Sequence, residues 1–288
     1  MKQTIFVLCA TLFILAGCSP TVLPTATEKP QIIPAVTFTP VPSTATMVPQ
    51  ATIPPTIIPT IIPVSLFRVS SPLEDIQLND LKLIISEPFL QTGLELDDGH
   101  HGTDFAFYDF GKLTTIVGLP IHSVLNGKVA GVINKKKPYG NLIIIETRMD
   151  TFPQELLNLL SPPFQETPYP YNPRLQFCTS LKGETWTVKP DSVYLLYGHM
   201  LEPSPLNVGD IVSSGQTIGK VGNTGMSGNA HLHLEMRWGP GGTEFASMNY
   251  YDTAATPEEN INYCIWRISG KFSRIDPMVF FNTWENLP

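Results

Sequence analysis

Charge is scarce in this chain of 288 residues, at 15%, and positive charge is scarcer still. Eighteen Lys and Arg stand against 25 Asp and Glu, for a formal net charge of -7. A phosphate backbone is bound by clustered cations, so nothing here points to a nucleic-acid partner. Long apolar runs are also missing. A membrane-spanning helix needs about 20 apolar residues, and the N-terminal run, Thr4 to Ala16, stops short of that. Helical periodicity is thin, with Pro153 to Leu160 offering one turn or two. Cysteines number only four and histidines only six. The 42% of hydrophobic residues is enough to bury a core, and the length allows one or two domains.

The N-terminus sets an address. Met1-Lys2 is a basic start, the apolar run has the shape of a signal-peptide core, and Leu15-Ala16-Gly17-Cys18 follows. That tetrapeptide resembles the lipobox of bacterial lipoproteins. The resemblance implies a signal peptide over 1–17, cleavage before Cys18, and a lipid on Cys18. The other reading is an uncleaved N-terminal anchor. Either way the rest of the chain is expected outside the cytoplasmic membrane of a bacterium. Residues 18–65 then form a tether. Ser19 to Val64 holds 11 of the 28 prolines and two charges, Glu28 and Lys29. Prolines remove donors and fix φ, so this stretch reads as an extended, disordered linker. At about 3.1 Å per residue its reach is on the order of 140 Å. Cys9 leaves with the signal peptide, and Cys178 and Cys264 remain in an oxidising compartment. Two such cysteines most simply pair as a disulfide; buried thiols and soft metal ligands are the alternatives.

Residues 66–288 carry the folded part. Leu81 to Ile85 is a short apolar run, and the acidic stretch Glu95 to Asp98 reads as a solvated loop. Short β-prone segments follow between glycine turns: Thr103 to Tyr108, Pro120 to Val124, Lys128 to Ile133, Asn141 to Thr147, Val193 to Tyr197, Val208 to Val212 and Gly215 to Val221. Asn126-Gly127 predicts a hairpin joining the second and third of these. The class expected is all-β, mostly antiparallel sheet. Two long stretches, Asp150 to Asp191 and Glu244 to Phe272, interrupt the rhythm as loop insertions. Cys178 lies in one and Cys264 in the other, so a bond would tie the insertions together.

Polar residues gather at three places. Ala230-His231-Leu232-His233-Leu234-Glu235-Met236 alternates with period two, so His231 and His233 share one face of a strand. Gly99-His100-His101-Gly102-Thr103-Asp104 sets a histidine four residues before an aspartate. Tyr197-Gly198-His199 ends a β run. Zinc favours imidazole and carboxylate, and a catalytic zinc takes three protein ligands. Two His and one Asp meet that count and leave two histidines for acid–base work. His101 adjoins His100, so which of the two goes with Asp104 stays open by one residue. His122 reads as a packed or surface residue, and core or loop packing is favoured for Tyr169, Tyr171, Trp186 and Trp238 over a place in a groove.

In this order, His100-x-x-x-Asp104, His199 and His231-x-His233 resemble the motif set of the lysostaphin/LytM-type zinc metallopeptidases. Gly102-Thr103-Asp104-Phe105, Gly140-Asn141, Gly209-Asp210 with Gly215-Gln216, and Gly222-Asn223-Thr224-Gly225 resemble the family's surrounding strands and turns. The resemblance covers about His100 to Arg237 without the first insertion. It implies a duplicated-hybrid-motif core, an antiparallel sheet with a groove, with zinc on His100, Asp104 and His233, and His199 and His231 as the catalytic histidines. No glutamate sits inside a histidine motif as base, so a histidine takes that part. The expected function is a membrane-anchored zinc endopeptidase acting on peptidoglycan cross-links or stem peptides, with a protein activator as a further partner. The alternative is a non-catalytic module that binds the wall or activates another wall hydrolase; such modules usually lack some of the five positions, and this chain keeps all five. A lipoyl- or biotin-carrier-like domain, suggested by Gly209-Asp210-Ile211-Val212, is opposed by the export signal and the histidines.

Overall fold

A computed structural model of the chain describes residues 67–91, 97, 99–107, 115–161, 168–170, 178, 185–187 and 190–287. The expected signal peptide, Cys18 and the tether lie outside the described residues. So do half of the first insertion and the side chains of Tyr169, Tyr171 and Trp186. The strands are β1 Ile85–Glu87, β2 Thr103–Phe105, β3 Pro120–His122, β4 Gly127–Lys136, β5 Gly140–Arg148, β6 Pro168–Pro170, β7 Thr185–Thr187, β8 Ser192–Gly198, β9 Ile211–Val212, β10 Thr217–Lys220, β11 Leu232–Gly239 and β12 Ser273–Ile275. The helices are α1 Gln154–Leu160, α2 Pro257–Arg267 and α3 Pro277–Glu285. None of the described helices is long and apolar enough to cross a membrane.

The chain is mostly β. Eight strands form one antiparallel sheet in the order β1-β2-β11-β8-β5-β4-β9, with β12 beside β2 on the same edge of β11. Small two-stranded sheets, β3 with β10 and β6 with β7, stand apart. The central strands β5 and β8 are buried along nearly their whole length, because both faces of the sheet are covered. Ile143, Ile145, Leu195, Tyr197, Leu234 and Met236 point into one core with Leu156 of α1 and Phe280 and Phe281 of α3. Leu142, Ile144, Tyr194 and Leu196 point into a second core with Met248, Tyr263 and Trp266 of the second insertion. Each fully buried large side chain contributes about 1.5–3 kcal/mol, so this insertion is a structural half of the sheet's covering.

Two expectations are corrected. Pro120 to Val124 does not form a hairpin with the strand after Asn126-Gly127. Instead β3 pairs with β10, while β4 pairs with β5 and β9. The backbone leaves β3 when Ser123 donates to the Leu125 carbonyl and the Tyr197 hydroxyl accepts from the Val124 N–H. The second insertion is not a plain loop, since Glu244 to Phe272 holds α2. Thr256 accepts from the Glu259 N–H and Glu259 accepts from the Thr256 N–H, with Pro257 at the first helical position. That reciprocal cap satisfies two otherwise orphaned donors. Glu259 also pairs with Lys136 at 2.7 Å, which ties the start of α2 to β4. Cys264 of α2 is disulfide-bonded to Cys178 of the first insertion, as the compartment argument expected.

Candidate metal centre

Strand register assembles the site. His233 on β11 lies opposite Asp104 on β2 and opposite Gly198 on β8, so His199 follows immediately beyond the edge. Gly102 is needed because a Cβ there would run into the Leu234 carbonyl and the His233 ring. His100 is held by a bridge to Leu90 and donates its Nδ1–H to the Pro88 carbonyl at 3.0 Å. His231 precedes β11 and donates from Nδ1 to the Asn229 carbonyl at 2.8 Å.

His100 Nε2, Asp104 Oδ1 and His233 Nδ1 converge. Asp104 Oδ1 is 3.1 Å from His100 Nε2 and 2.7 Å from His233 Nδ1, and the two nitrogens are 3.1 Å apart. Donors about 2.1 Å from a tetrahedral zinc are separated by about 3.4 Å, so a small outward shift fits the ion. The outer nitrogens support this reading. Carbonyl and carboxylate oxygens only accept, so His100 Nδ1 donates to Pro88 and His233 Nε2 to Glu235, which turns His100 Nε2 and His233 Nδ1 toward Asp104. The partner of His233 Nε2 is Glu235 Oε1, at 3.2 Å. His199, His231 and His233 form a second, overlapping group close enough to hold an ion.

Burial alone would raise the Asp104 carboxyl, but the His233 charge and hydrogen bonds from His100 and His233 hold it far below the usual carboxylate range. Burial pushes His233 down, yet the Asp104 and Glu235 carboxylates outweigh it and raise the ring to about 9. Burial, then His233 and His231, push His199 down to about 3. His199 is therefore neutral at neutral pH. Its Nδ1–H donates to the Thr224 carbonyl at 2.7 Å, which leaves Nε2 for the cleft. The His199 backbone sits at φ 57°, a left-handed conformation that costs a side-chain-bearing residue on the order of 1–3 kcal/mol. The Thr224 loop that holds the ring is packed on Gly140, at φ 72°. Gly140→Ala would drive a methyl into Thr224, so we expect a loss of about 2 kcal/mol or more in urea unfolding.

The remaining expectations sort cleanly. His101 is fully buried, with Arg274 Nη1 2.8 Å from Nε2 and Arg237 Nη2 3.1 Å from Nδ1, and it points away from the converging donors. His122 lies on β3 and does not line the cleft. Trp238 is packed in the first core. Asp97 is not solvated: it pairs with Arg267 Nε at 2.7 Å and accepts from the Tyr263 hydroxyl at 2.8 Å. Tyr139, Asp97, Trp266 and Arg267, all near the site, carried no motif. The cleft over the site has a volume of about 260 Å³, and Met226, Tyr139, Tyr251 and Arg267 line it beside the histidines. The second insertion thus walls the groove. A larger cavity of about 990 Å³ at the opposite end of the β4–β5 hairpin has no group of metal-binding donors among the described residues.

Residues 179–246, which include His199, His231 and His233, match the family model described as Peptidase family M23. Among solved structures, the chain is similar to the catalytic domain of the antimicrobial peptidase lysostaphin from Staphylococcus simulans. Identity is 18%, coverage is 72% of this chain and 98% of that one, and the TM-score is 0.36. A mutant catalytic domain of the prophage-encoded M23 protein EnpA from Enterococcus faecalis matches at 19% identity. That match covers 66% of this chain and 94% of that one, with a TM-score of 0.31. A zinc-containing peptidase from Vibrio cholerae matches at 22% identity over 54% of this chain and 33% of that one, with a TM-score of 0.30.

Proposed function

We propose that this chain is a zinc-dependent endopeptidase that cuts peptide bonds in the cross-links or stem peptides of peptidoglycan, held outside the cytoplasmic membrane by a lipid on Cys18. One observation carries the reading: three donors, His100 Nε2, Asp104 Oδ1 and His233 Nδ1, lie within 3.1 Å of one another beside two further histidines lining the same cleft. The match of residues 179–246 to a peptidase family model supports it. The peptidoglycan substrate rests on the motif resemblance. The tether suits it, since its reach is on the order of 140 Å when extended.

His100, Asp104 and His233 would hold the ion. Zinc, when bound, supplies Lewis acidity toward a carbonyl and makes water easier to deprotonate. His199, with Nδ1 committed to Thr224 and Nε2 left to the cleft, takes the proton of the attacking water. His231 sits with Nε2 3.1 Å from Asp104 Oδ2 and Nδ1 2.8 Å from the Asn229 carbonyl, and from the edge of the centre it serves as donor to the developing oxyanion. Met226 and Tyr251 give the peptide an apolar wall.

The test is digestion of purified sacculi with and without chelator, followed by mass spectrometry of the released fragments. Metal-dependent new amino termini within peptides establish the activity and name the bond. One tightly bound zinc with no fragments would favour a regulatory module instead.

A pH effect follows. In the metal-free protein His233, raised to about 9, carries a proton at neutral pH. A cation bound on Nδ1 must expel it, so apparent zinc affinity should rise by about tenfold per pH unit from neutral pH to about 9. Chelator-competition titrations across that range would read this, and a flat profile would contradict it. Without metal, the same shift stabilises the fold fully below pH 6.5, and that contribution fades as pH rises through about 9.

A further inference from the structure

Glu235 is fully buried two residues beyond His233, on the same face of β11. Its Oε1 accepts from His233 Nε2 at 3.2 Å and from the Tyr139 hydroxyl at 2.6 Å. Its Oε2 accepts from Arg237 Nε at 2.8 Å, Arg237 Nη2 at 2.6 Å and the Trp266 indole N–H at 3.0 Å. Arg267 Nη1 approaches Oε1 at 3.4 Å. A carboxylate held by that many donors has one orientation. The ring whose Nε2–H it accepts is held with it, and that ring presents Nδ1 to Asp104 and His100.

Two of those donors, Trp266 and Arg267, come from the last turn of α2, inside the second insertion. Arg267 is anchored in turn by Asp97, three residues before His100. Cys264, two residues before Trp266, is bonded to Cys178 in the first insertion. We infer that Glu235 is a positioning residue for His233, and that Trp266 and Arg267 make the disulfide-anchored helix α2 part of the metal centre rather than a separate decoration of the sheet. The physical reason is that the imidazole of a metal ligand gains basicity and a fixed orientation from the acceptor on its far nitrogen. A wandering Glu235 would let the His233 ring rotate out of line with Asp104 and His100.

This inference rests on the metal reading given above, and its test separates the two. Glu235→Ala would leave Arg237 buried without its carboxylate, a change that can unfold the chain. Trp266→Phe is gentler: it removes one indole N–H from Oε2, and Trp266 does not line the cleft. The disulfide-bonded wild type, Trp266→Phe and His233→Ala are compared by circular dichroism, by zinc competition against a chromophoric chelator, and by the visible spectrum after cobalt substitution. We expect Trp266→Phe to fold, to bind zinc about tenfold more weakly, and to show shifted cobalt bands. Arg267→Met, which loses the contact to Oε1, is expected to do the same and stands in should Trp266→Phe fail to fold. Wild-type zinc affinity and an unchanged cobalt spectrum in a folded variant would overturn the inference and reduce α2 to a cover. Zinc binding that is absent from the wild type, or that survives His233→Ala, would instead overturn the metal reading itself.

Discussion

His231→Ala is expected to lower peptide hydrolysis by on the order of 10²- to 10⁴-fold while one equivalent of zinc stays bound. The split comes from where each nitrogen points. His231 meets the carboxylate at its other oxygen, with Nε2 3.1 Å from Oδ2, while Oδ1 is the oxygen shared with His100 and His233. Removing the ring takes away a proton donor beside the reacting carbonyl and leaves the three converging donors in place. The fold should be indifferent, because His231 lies before β11 and its Nδ1 is tied only to the Ser227–Asn229 turn. Metal content by atomic absorption and turnover on sacculi must be read together. Loss of zinc along with activity would transfer the ion to the overlapping group of His199, His231 and His233.

Much of this centre could be read from local pattern, and the reasons differ by residue. Alternation through Ala230 to Met236 put His231 and His233 on one face, and both do line the cleft. The four-residue step from His100 to Asp104 also survives folding, as a 3.1 Å contact. The pairing of His233 with Asp104, 129 residues apart, is set by strand order, which no local pattern encodes. The clamp on Glu235 was invisible for the same reason. Arg267 and Asp97 are separated by 170 residues, and a salt bridge of that span leaves no periodicity. Within Glu95 to Asp98, reading Asp97 as solvated failed because acidity alone does not reveal a buried partner, and the other three residues lie outside the described ones. The helix α2 is a different case. Thr256-Pro257-Glu258-Glu259 is a legible capping box, and reading Glu244 to Phe272 as loop passed over it. Asn126-Gly127 misled in the opposite direction: a good turn signal says that the chain reverses, but not which strand it then joins.

Asp104→Ala is expected to abolish stoichiometric zinc binding and with it all measurable hydrolysis, the largest effect of any single change at this site. Asp104 is the hub of the centre. Oδ1 meets His100 and His233, Oδ2 meets His231, and the carboxyl is held well into its charged form by those partners. Without it, three imidazoles are left facing one another with no carboxylate among them, Glu235 lying behind His233, and two ligands stand in place of three. A carboxylate also supplies the negative charge that two neutral histidines lack, so the ion loses electrostatic as well as coordinative support. The second donor group makes the result decisive. Were zinc held by His199, His231 and His233, Asp104→Ala would keep the metal and His199→Ala would lose it. With the ion on His100, Asp104 and His233, His199→Ala keeps the metal and Asp104→Ala does not. Chelator competition on the two variants reads this without any substrate. The geometry favours the second outcome, because His100 Nε2, Asp104 Oδ1 and His233 Nδ1 already lie within 3.1 Å of one another and include the carboxylate.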